Sequence, residues 1–102
     1  MSSIGAKLTP EEVTIAIVEN AEHDLTLIEE DRTYNEQTSH ALRNNTECPP
    51  FDRNASSARL AAYERVDTSI QAVRFLLRDG RLRMEQLPPI VKQAVDEYPQ
   101  NV

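Results

Sequence analysis

The chain has no tryptophan, two glycines and one cysteine. So little glycine excludes a hairpin-rich all-β fold, whose tight turns need residues that accept positive φ. With only Gly5 and Gly80 there is also no glycine loop to cradle a phosphate. The single thiol, Cys48, rules out an internal disulfide framework and fits a reducing compartment. No stretch approaches the run of about 18 apolar residues that spans a bilayer. Met1 to Lys7 lacks the apolar centre of an export signal. The expectation is a cytoplasmic protein that does not engage a membrane.

Hydrophobic residues are 39% of the 102, fewer than in an average globular domain. That length suits one domain with a modest core. The net charge is −6, distributed unevenly. Residues 1–50 hold ten acids against Lys7, Arg32 and Arg43, whereas residues 51–102 hold eight bases and seven acids. An acidic chain is a poor general ligand for DNA, whose affinity comes largely from phosphate neutralisation.

What the sequence does contain is helix. Tyr63, Val66, Ile70, Val73 and Leu77 recur at gaps of three and four, the spacing of an apolar seam on one helix. No proline or glycine interrupts Asp52 to Asp79, and Gly80 follows where a left-handed cap is expected. Asp52, Asn54 or Ser56 supplies the start.

Upstream, Thr9-Pro10-Glu11-Glu12 reads as a helix start. A threonine cap is followed by proline in the first turn, and Glu12 completes a capping box. Val13, Ile17, Val18, Ala21, Leu25 and Ile28 then share one arc, with Ile15 and Leu27 off it. Beyond Ile28 that face meets Arg32, Asn35 and Ser39. Either the helix continues to about Asn44, or it breaks at a second capping box, Thr33 to Glu36. Continuity is favoured because neither glycine nor proline intervenes before Pro49.

Pro49-Pro50 forbids helix between residues 45 and 52. Pro88-Pro89 opens a short last helix with Ile90, Val91, Ala94, Val95 and Tyr98 on its apolar side, able to cover Phe75 and Leu76. Leu82, Met84 and Leu87 in the preceding connector can tuck inward. The fold class is therefore all-α: an antiparallel hairpin of two long helices plus a short C-terminal helix, completed to a larger bundle if two copies associate as a homodimer. Residues 1–8 are a flexible lead and 99–102 a polar tail.

No constellation carries chemistry. Glu19/His23 and Glu36/His40 are one helical turn apart, but two histidines on one helix do not make a bundle metal site. Glu29, Glu30 and Asp31 suggest a divalent-metal hydrolase only if facing carboxylates come from a second helix, which offers Glu64 and Asp67. Cys48 with His40 lacks a local oxyanion site. No catalytic residue, metal or cofactor is expected.

Two charged features remain. The acids Glu19, Glu22, Asp24, Glu29, Glu30, Asp31 and Glu36 run along the first helix, a surface suited to a basic protein partner. Arg74, Arg78, Arg81 and Arg83 gather at the end of the second, a docking patch for nucleic acid in the alternative reading. The expected function is a non-enzymatic interaction module: an adaptor, inhibitor or assembly subunit.

Overall fold

A computed structural model describes residues 7–99. The chain is all-helical among these residues, with α1 at Pro10–Arg43, α2 at Arg53–Arg78, one 3₁₀ turn at Met84–Gln86 and α3 at Pro89–Glu97. Of the lead expected over residues 1–8 and the tail expected over 99–102, residues 1–6 and 100–102 lie outside the described residues.

The helix ends follow from local chemistry. The Thr9 hydroxyl accepts the Glu12 N–H at 3.1 Å, and the Glu12 carboxylate accepts the Thr9 N–H at 2.8 Å. Two otherwise orphaned donors are thus satisfied. α1 passes through Thr33 without a break, as the lack of glycine and proline implies. It stops at Asn45, whose φ of 57° is left-handed, with Thr46 N–H donating to the Ala41 carbonyl at 2.9 Å. α2 opens on Asp52, whose carboxylate accepts from the N–H groups of Asn54 and Ala55. It closes in the same way at Gly80, with φ of 80° and Arg81 N–H on the Leu76 carbonyl at 3.0 Å. Asparagine and glycine fill these two positions because both tolerate the left-handed conformation.

α1 and α2 pack antiparallel, since Asp24 of α1 meets Arg65 and Ser69 while Asp31, further along α1, meets the earlier Arg59 and Tyr63. Val66, Ile70 and Val73 of the seam are buried, together with Ala21 and Leu25 of α1. Ile17, Val18, Ile28 and Leu77 pack at the margin of that core. Tyr63 stays 46% exposed because its ring lies along the seam's edge with the hydroxyl turned to Asp31. Leu82 and Leu87 are buried and Met84 packs against the core they belong to.

α3 seals the core with Val91 and Ala94. Its exit is held mainly by Arg74, with Gln71 Nε2 also donating to the Pro99 carbonyl at 3.2 Å. The Arg74 guanidinium donates to the carbonyls of Val95 at 2.6 Å, Pro99 at 3.0 Å and Tyr98. Carbonyls at a helix C-terminus lack intrahelical donors, and a planar fork of N–H groups serves several at once. One expectation fails here. Leu76 is covered, but Phe75 remains 57% exposed. Val73 and Leu77 both face the core, which turns the ring midway between them to the opposite side of α2.

The inner face of α1 is a heptad column, Ile17, Asp24, Asp31 and Thr38, in which two members are carboxylates. Asp24 is 3% exposed, and its carboxylate accepts from Arg65 Nε (3.2 Å), Arg65 Nη2 (2.8 Å) and Ser69 Oγ (3.0 Å). The Asp31 carboxylate accepts from Arg59 Nε at 3.3 Å and Tyr63 Oη at 3.0 Å. The Arg59 guanidinium also sits 5.1 Å from the centre of the Tyr34 ring. Such pairing offsets the cost of removing a carboxylate from water, and a polar group in a seam fixes which turn meets which.

The Asp24 pair is asymmetric: the arginine side chain is 52% exposed and the aspartate 5%. Arg65→Ala strands a buried charge and is expected to cost about 3 kcal/mol. Asp24→Ala frees an arginine into solvent and costs about 1–2 kcal/mol. Urea denaturation of both variants checks the order; a larger loss for Asp24→Ala contradicts it.

Candidate functional site

A long helix presents different residues inward and outward, so the acids of α1 divide. Asp24 and Asp31 belong to the interior seam, which corrects their expected place on a partner-facing surface. Seven-residue spacing from an apolar position, Ile17, is the sequence signal that marks them as inward. Glu19, Glu22, Glu29, Glu30 and Glu36 are exposed. Glu22, Glu29 and Glu36 are also one heptad apart, forming an outer column with about 10 Å between members. Glu29 is ion-paired with Arg32 one turn on. That contact holds the Arg32 proton more tightly than usual, first through the hydrogen bond and then through the charge. Both partners are well exposed, so the pair adds little to stability.

The basic cluster divides in the same way. Arg74 is 7% exposed and engaged with α3, so it is not part of a docking patch. Its Nε is buried with no hydrogen-bond partner. Arg81 pairs with Asp79 at 3.0 Å, and only Arg78 and Arg83 remain exposed without such commitments in the cluster. Two arginines make a weak footprint for a phosphate backbone.

Glu29, Glu30 and Asp31 do not converge, because Asp31 is turned to Arg59 and Tyr63 while its neighbours face outward. Among the described residues no group of three or more histidine, cysteine or acidic side chains is arranged to hold a metal ion. Cys48 is exposed and shares a shallow depression with His40, Glu47 and Pro49. Among the described residues no helix is long and apolar enough to cross a membrane.

Several shallow concavities combine acidic and apolar lining, and one of them involves the start of α1. This one lies between the first three turns of α1 and the connector that follows α2. Ile15, Val18 and Leu82 line it together with Glu11, Glu19 and Glu22. Ile15, which falls off the apolar arc of α1, is 55% exposed there. Glu19 and Glu22 thus stand beside apolar surface here, as Glu29 and Glu30 do beside Tyr34 and Ile90 in a second depression. The connector's part in this groove has no sequence signal, because it depends on where α2 ends relative to α1.

No family model, curated protein or solved structure matches this chain.

Two tyrosines report on the packing. Tyr63 holds its proton above the ordinary value of 10.0, mainly through lost hydration and then through its bond to Asp31. Burial raises Tyr98 as well. A phenol whose folded pKa exceeds its unfolded one keeps its proton longer in the native state. Stability is therefore whole below about pH 10 and falls as pH rises beyond it. Tyrosinate absorbance is expected to show two late-titrating groups, one of which disappears in Tyr63→Phe. Separately, Arg74→Met is expected to release the end of α3 and cost about 3 kcal/mol. Faster amide exchange over residues 91–98 than over α1 checks it.

Proposed function

We propose that this chain is a non-enzymatic interaction module, an adaptor, inhibitor or assembly subunit, that docks the outer acidic stripe of α1 on a basic protein surface. The observation that carries this reading is the division of acids on α1. Asp24 and Asp31 pin the helix to α2, while Glu19, Glu22, Glu29, Glu30 and Glu36 stay exposed along one rigid element. A helix held straight by inward pairs presents outward carboxylates at fixed intervals, which steers and orients a basic partner without a conformational cost on binding.

Self-association has one support. Leu60 and Phe75 are 59% and 57% exposed on α2. A second copy covering them leaves the acidic stripe of α1 free.

Affinity capture from the native host tests the main reading, with wild type compared against a Glu22→Lys/Glu29→Lys/Glu30→Lys variant. The expected result is a partner that binds wild type, is lost with the variant, and is released at about 1 M salt, where the Debye length is roughly 3 Å. Retention by the variant, or indifference to salt, excludes acidic docking.

A further inference from the structure

We infer that the groove between the start of α1 and the connector after α2 receives a basic amphipathic helix of about three turns. This rests on the interaction reading and narrows its partner. The floor is apolar: Ile15 and Val18 come from α1, and Leu82 from the connector. Ile15 is not part of the core and lies 55% exposed, so it offers apolar area that a partner gains by covering. The rim on the α1 side carries Glu11, Glu19 and Glu22, all exposed. Arg81 on the opposite rim is paired with Asp79 at 3.0 Å, and the three carboxylates outnumber its single charge.

Charge complementarity sets the occupant's sign, and the lining sets its shape. The described residues contain no strand whose edge an extended peptide could join. No aromatic residue lines the groove, and proline-rich segments dock between aromatics. Helix-in-groove binding is what remains. Glu11 to Glu22 spans about 16 Å at 1.5 Å per residue, which matches a partner helix of roughly twelve residues. Such a helix places apolar side chains at i, i+3, i+4 and i+7 on the floor, with lysine or arginine beside them at the acidic rim.

The test uses the whole chain, isotope-labelled, with a synthetic Leu/Lys helical peptide of about twelve residues in that pattern. A counterpart with glutamate for every lysine serves as control. The lysine peptide is expected to shift the amide signals of Ile15, Val18, Glu19, Glu22 and Leu82, and the glutamate peptide to shift none. Ile15→Asp is expected to weaken binding about tenfold or more, with an unchanged melting curve because the side chain is already exposed. Glu19→Lys/Glu22→Lys is expected to weaken it similarly. Shifts confined to residues 29–36, or an Ile15→Asp variant that binds normally, overturn the groove while leaving the acidic stripe as a docking surface. Capture of the native partner that ignores all charge reversals overturns the broader reading instead.

Discussion

Two carboxylates in a largely apolar seam are the constraint on which the rest of this structure depends. A two-helix hairpin with a purely apolar interface can slide by a turn at modest cost, because leucine, valine and isoleucine accept one another in several registers. Asp24 and Asp31 remove that freedom. Each lies inside and each needs donors, which α2 supplies at particular turns: Arg65 and Ser69 for one, Arg59 and Tyr63 for the other. A slip of one turn leaves a carboxylate unpaired next to apolar side chains, a cost of several kcal/mol. Register then places everything downstream. It sets where Gly80 turns the chain, and so where Leu82 and Leu87 fold back onto α1 and α2.

The same logic recurs at the third helix. α3 has nine residues, too few to be stable alone in water. It is anchored at both ends, by Pro88 and Pro89 restricting its entry and by Arg74 collecting the carbonyls of its exit. An arginine beside Val73 on α2 thus replaces the apolar cover that a longer helix provides. The protein uses arginine as a connector in three places, buried at Arg59 and Arg74 and half-exposed at Arg65. This suits a chain in which tryptophan is absent and aromatic residues are only 5%.

Function, in the reading advanced here, follows from the division of charge on α1. Inward acids are neutralised by Arg59 and Arg65 of α2, two of the eight bases in the second half of the chain. Outward acids, apart from Glu29 with its neighbour Arg32, have no such match among the described residues and make a surface that attracts cationic groups. The groove at the start of α1 joins that surface to apolar area, and a partner with both features gains orientation as well as attraction.

The fold class was legible because its signals are local. Helix caps at Thr9, Asp52 and Gly80, the proline pairs, and the three-four spacing from Tyr63 to Leu77 act over one or two turns, and each predicted its element. The continuity of α1 was legible on the same ground. The candidate site was less so. Five of the seven acids assigned to the outer face of α1 are there; Asp24 and Asp31 are not, although their seven-residue spacing after Ile17 carried the hint. Arg59, one heptad before Val66, carried the complementary one. By itself the sequence determined which segments are helical, where they stop and which stripe of each is apolar, since backbone hydrogen bonding and side-chain periodicity are settled within a helix. Only the tertiary structure decided which charges are interior, that Phe75 stays uncovered while Arg74 is buried, and that Ile15 lines a groove with Leu82, because those outcomes depend on the register and crossing of helices distant along the chain.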